Sequence, residues 1–181
     1  MAMIRLRRAL PPSIAGIVTL IFAVSAFAQA PLTQTDRRLI NAWLLCIECN
    51  AGQLDSVAAL ARRKPVATRD TLTRDLLAGP SAQLLDDVQQ QLGENYDVLA
   101  AQAASEARVV GVSRSEYLKR YTASVQSVYR RRAALALARI GGPQARQALT
   151  AALDSARRGS PNFDSRLTRA IMFARDSLRV P

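Results

Sequence analysis

Ala134-Leu135-Ala136-Leu137-Ala138-Arg139 recurs 36 residues later as Ala170-Ile171-Met172-Phe173-Ala174-Arg175. A second echo runs upstream: Leu60, Ala61, Arg62, Leu72 and Leu76 precede Leu137, Ala138, Arg139, Leu149 and Leu153 by 77 positions, type for type. Self-similarity at spacings of roughly 20–50 residues, or a multiple, marks helical repeat arrays, in which each unit buries its apolar face by stacking on the next. Stacked hairpins form curved surfaces that hold other molecules. The pattern predicts a chain built to bind.

The first 28 residues read as a secretory signal peptide. Arg5, Arg7 and Arg8 open it, and an uncharged apolar run from Ile14 to Ala28 ends in small residues. Cleavage after Ala28 is favoured over Ala30, which would leave Pro31 just past the scissile bond, where its ring and fixed φ fit poorly. The run of about 15 apolar residues is shorter than the ~20 needed to span a bilayer as an anchor. Arg7-Arg8 makes a weak twin-arginine signal because Pro11-Pro12 follows so soon, and no Cys adjoins the cut. The expected location is the periplasm or the extracellular medium, and residues 29–181 are one domain's worth of chain.

Charge is unevenly distributed. The chain has 25 Lys and Arg against 14 Asp and Glu. Residues 31–80 hold 7 basic and 5 acidic side chains, residues 81–129 hold 4 and 6, and residues 130–181 hold 11 and 3, the basic ones all arginine. An arginine surplus of this kind either attracts an acidic partner through screened long-range forces or keeps a helical protein in solution.

The chain has two cysteines, Cys46 and Cys49, and no histidine. Haem attachment would need a His after the second Cys, where Asn50 stands. A zinc site needs four ligands, which two Cys and carboxylates supply poorly. No metal or cofactor is therefore expected. A redox C-x-x-C sits at a helix N-terminus, where the dipole lowers the thiol pKa. This pair follows the apolar run Leu39–Leu45 and precedes Asn50-Ala51-Gly52, which reads as a helix end, and Glu48 adds like charge. A structural disulfide clamping the last turn of the first helix is favoured, with a thiol-disulfide centre as the alternative. The missing histidine also removes the usual general base near neutrality, and no Ser-His pair, His-Glu metal motif or glycine-rich phosphate loop occurs.

Helical spacing runs throughout. Thr35 or Asp36 caps a first helix reaching about Cys49. Leu54, Val57, Leu60 and Ala61 mark a second that ends at Arg63-Lys64, and Leu72, Leu76 and Leu77 a third closed by Gly79-Pro80. A longer helix starts at Ser81 with the stripe Leu84, Leu85, Val88, Leu92, Tyr96 and Leu99, and Gly93 as a bend. Ser113 and Glu116 form a capping box for a helix reaching Ile140. Gly141-Gly142 ends that helix, Pro143 opens the next, and Asp164 caps the last. No stretch alternates with period two, so the chain is all-α.

The segment from Tyr129 through Arg139-Ile140-Gly141-Gly142-Pro143 to Leu149 and Leu153 resembles a bacterial HEAT-like repeat: an Ala/Leu-rich helix, an Arg-Ile-Gly corner, a Pro opening the partner helix and a Leu-x-x-x-Leu stripe. Residues 164–179 resemble a first helix without its corner. Residues 53–79 are similar with Arg63-Lys64-Pro65 in place of the corner, and helices 81–112 do not match. The resemblance implies a short α-solenoid of hairpin units at about 53–79, 129–157 and 164–179, with an inserted central helical segment. It also implies a non-enzymatic module for protein contacts, with no catalytic residues.

Met172 and Phe173 stand well off the stripe Leu167, Ile171, Ala174 and Leu178 of the last helix. They either pack on the preceding hairpin or remain open for docking. With Arg130, Arg131, Arg157, Arg158, Arg166 and Arg169 they are the expected partner-binding residues, toward an acidic protein. A binder of anionic envelope polymers or lipid headgroups is a further alternative. Nucleic acid is disfavoured, because no aromatic residues interleave with the basic ones.

Overall fold

The computed structural model describes residues 30–46, 48–160 and 163–178, so residues 1–28, the expected signal peptide, lie outside the described residues. Seven helices occur among the described residues, with no strand: α1 Gln34–Leu44, α2 Ala51–Arg63, α3 Pro65–Ala78, α4 Ala82–Ser105, α5 Arg114–Ile140, α6 Gly142–Arg157 and α7 Ser165–Ser177. The all-α expectation holds.

Local chemistry accounts for most boundaries. Ser81, Ser113 and Asp164 are N-caps, each accepting the N–H three residues on. The first helix starts earlier than expected. Thr33 is its cap, and Asp36 returns a bond to the Thr33 N–H at 2.8 Å. The box expected at Ser113 is half formed, because Glu116 turns instead to Arg120, 2.6 Å away. Asn50-Ala51-Gly52 begins α2 rather than breaking α1, since Asn50 and Gln53 complete a capping box. Nor does Gly93 bend its helix. It lies buried inside a continuous α4, where the absent Cβ leaves room for the Arg114 guanidinium.

The hairpins stack. The α2–α3 pair packs on the second half of α5 and on α6, and α7 packs on the opposite side of α5 and α6 without touching α2 or α3. α1 covers α2 and α5. Such nearest-neighbour packing is the solenoid pattern. The 77-residue echo is realised as equivalent core positions: Leu60, Leu72 and Leu76 are fully buried in one unit, and Leu137, Leu149 and Leu153 are buried in the other. Their corners differ. Lys64 at φ −135° joins α2 to α3, whereas Gly141 at φ 76° joins α5 to α6 in a left-handed conformation that favours glycine.

The inserted segment is a projecting arm. α5, at 27 residues, spans about 40 Å at ~1.5 Å per residue, so its first half overshoots the stack. α4 touches no helix except α5, and Gly93 is its one buried residue. The expected stripe Leu84–Tyr96 is consequently only half-buried, and Leu99 is exposed. Ring contacts between Tyr96 and Tyr117 (centroids 5.3 Å) and a two-pronged Arg114–Asp97 ion pair hold the arm together.

Candidate functional site

The outer face of α7 collects the candidate residues that sequence alone placed at the C-terminal end. Leu167, Ile171 and Ala174 point into the stack and are fully buried. Arg166, Arg169 and Phe173 follow at i, i+3 and i+7 and are exposed together, with Met172 beside them. Phe173 is 70% exposed and Met172 45%. Asp164 fixes this helix in place: its carboxylate accepts from the Leu167 N–H and from the Ser127 hydroxyl of α5, both at 2.7 Å. Burial opposes ionisation of Asp164, but these hydrogen bonds and the nearby Arg166 hold its pKa below the ordinary carboxylate value. Among the described residues, Arg131, Arg166 and Arg169 enter no ion pair. Arg131 is exposed on α5. Arg157 and Arg158 are exposed at the end of α6, spent locally on Asp154 and Ser155.

Arg130 does not belong to that surface. It is 4% exposed, its guanidinium donates to the Ala78 carbonyl at 2.9 Å, and it lies 5.7 Å from the centre of the Phe163 ring. Its neighbour Arg132 donates to the Leu44 carbonyl at 3.1 Å. These two arginines close the C-termini of α3 and α1, where unpaired carbonyls and the negative end of the dipole favour a cation. Burial correspondingly lowers the pKa of both. Part of the arginine surplus is therefore internal. Periodicity was the available signal: Arg130 falls one turn before the buried Ala134 and one residue after the buried Tyr129.

Cys46 and Cys49 are joined by a disulfide, with their Cα atoms 5.5 Å apart. The bridge closes the α1–α2 loop and not the last turn of α1, because α1 stops at Leu44, whose carbonyl Arg132 takes. Cys46 packs against the core, and Cys49 is exposed immediately before Asn50, the N-cap of α2. The expected setting of both sulfurs in a helix C-terminus is thus corrected: Cys49 adjoins a helix start. Among the described residues, no group of three or more Cys, Asp or Glu could hold a metal ion.

A second feature escaped the sequence. A cleft of 540 Å³ opens where α3 turns into α4, and its walls bring together Arg37 and Asn41 of α1, Arg74 and Asp75 of α3, Leu84 of α4 and Tyr129 of α5. Asp75 is 6% exposed. Burial raises its pKa against the opposing pull of Arg74 and Arg37, and burial together with the Asp75 charge raises that of Tyr129.

Helix stacking, the repeated core positions and the glycine corner define an all-α helical repeat protein. Residues 129–155, the second half of α5 with nearly all of α6, match the family model for the PBS lyase HEAT-like repeat. No curated protein and no solved structure matches the chain.

Proposed function

We propose that the protein is an exported, non-enzymatic interaction module that captures an acidic protein partner on the outer face of α7. One observation carries the reading: Phe173, 70% exposed, stands with Met172 beside Arg166 and Arg169 on the last helix of the stack. An apolar anchor rimmed by exposed arginines suits a partner that offers an apolar pocket edged with carboxylates. The HEAT-like repeat at 129–155 supports an interaction role, and no helix among the described residues is long and apolar enough to cross a membrane.

The test is crosslinking through a photoreactive residue at position 172 in the native host. It is followed by binding of the purified partner to wild type and to the Arg166→Glu/Arg169→Glu double variant. Weaker capture with a flatter salt dependence and unchanged helicity supports the reading. Unchanged capture removes α7 as the site. Export is checked by fractionation and N-terminal sequencing of the mature chain, which is expected to begin at Gln29. An intact Met1 in the cytoplasmic fraction would refute it.

A further inference from the structure

The cleft at the α3–α4 corner is built like a binding site, and it lies apart from the α7 face. Two guanidinium groups, Arg37 and Arg74, share it with a single carboxyl, Asp75, leaving an excess positive charge. The first turn of the 24-residue α4 opens at the same corner behind its cap, Ser81, and adds the positive end of a helix dipole. Asp75 supplies the independent sign of a missing partner. It is 6% exposed, and although the Tyr129 hydroxyl approaches the carboxyl closely enough to lower its pKa, its Oδ2 makes no hydrogen bond of ordinary geometry among the described residues. Its other oxygen faces Arg74 at a loose 3.6 Å, and the Arg74 side chain is 55% exposed. A buried acceptor left unsatisfied is costly, and native proteins rarely leave one without a reason.

These needs select one ligand chemistry. The excess charge calls for an anion, and the orphan oxygen calls for a neutral N–H donor close to that anion, since an added ammonium would face both arginines. The apolar wall at Leu84 leaves room for a hydrocarbon side chain. We infer that this cleft receives the C-terminal residue of a peptide: its carboxylate lies between Arg37 and Arg74, and its backbone N–H donates to Asp75 as the Arg74 side chain moves aside. The Asn41 amide lines the same cleft and can bond a remaining carboxylate oxygen, while the Tyr129 hydroxyl is directed at the Asp75 carboxyl. A volume of 540 Å³ falls within the roughly 300–1,000 Å³ typical of ligand pockets.

The experiment titrates isotope-labelled protein with four probes at millimolar concentration, reading amide chemical shifts around the cleft. The probes are N-acetyl-leucine, its C-terminal amide, the ester analogue in which oxygen replaces the N–H, and an acetylated pentapeptide ending in leucine. N-acetyl-leucine is expected to bind at least about tenfold more tightly than either the amide or the ester, the size of one charge-assisted or one buried hydrogen bond. Arg74→Ala should erase most of the preference for carboxylate over amide. Asp75→Leu, of similar shape, should erase the preference for N–H over ester while keeping that for carboxylate. Equal binding of acid and amide by wild type, or no shifts at the cleft with any probe, overturns the inference. Exclusion of the pentapeptide would restrict the site to free N-acyl amino acids and overturn its assignment to peptide ends. None of these readouts involves α7, so the cleft and the α7 face stand or fall separately.

Discussion

Ala134–Arg139 in α5 and its echo Ala170–Arg175 in α7 have nearly the same pattern and opposite surroundings. Leu137 is fully buried, whereas its counterpart Phe173 is 70% exposed; Ala136 is buried, whereas Met172 is 45% exposed. The difference lies in the neighbours. The second half of α5 is covered by α2 and α3 on one side and α7 on the other, while among the described helices α7 packs only on α5 and α6. A wide apolar arc is what an interior solenoid helix needs, and at the end of a stack the same arc becomes a surface. An equal pattern is thus core in one place and a docking face in the other.

The sharpest way to break this comparison is to truncate both positions. Leu137→Ala should destabilise the protein by about 2–5 kcal/mol, the usual cost of a large-to-small change in a packed interior. Phe173→Ala should stay within about 0.5 kcal/mol, as surface changes do. Denaturant unfolding of the two variants measures both, and a large loss for Phe173→Ala would mean that α7 is covered in solution. The arginines offer a second pairing. Arg130→Met should cost about 1–3 kcal/mol because it strands the Ala78 carbonyl, while Arg166→Met should cost almost nothing; thermal melts of the two decide it.

The opposite edge of the stack is held by different means, and its variants sharpen the contrast. Removing the Cys46–Cys49 bridge by a double Ser substitution frees only a short loop, for which chain entropy predicts a loss of about 2 kcal/mol. Comparing oxidised wild type with the variant in urea gives the number. The smallest effect concerns Asp36, which accepts from the Lys64 ammonium at 2.8 Å and from Thr33. The Lys64 hydrogen bond, then those of Thr33, lower its pKa from 3.8 to about 2. A carboxyl with a depressed folded-state pKa contributes stability above the unfolded value and loses it as pH falls through the folded one. Stability should therefore drop between about pH 4 and pH 2 more steeply in wild type than in Asp36→Asn. Identical slopes would show that the Lys64 and Thr33 bonds to Asp36 do not persist in solution.

Much of the helical layout was readable because it is set within a few residues. Ser81, Ser113 and Asp164 cap because their side chains reach an N–H three positions away, and the Gly141-Gly142-Pro143 corner needs only its own backbone preferences. The misreadings have a common cause. Thr33 and Asn50 compete with nearby polar residues that could also cap, and the terminal carbonyl of α1, on Leu44, is taken by an arginine 88 positions away. The α7 residues were nameable since a helix face is a local property. The cleft was not, because Arg37, Asp75 and Tyr129 come from three helices with no shared spacing.

By itself, then, the amino-acid order determined the helical class, most of the caps, the disulfide-forming pair and the repeated apolar spacing, all of which follow from short-range sterics and hydrogen bonding. Only tertiary packing decided that Phe173 faces water, that Arg130 lies inside, and that Asp75 shares a cleft with two arginines. Burial depends on which neighbour stacks where, and a helix carries no record of the neighbour it lacks.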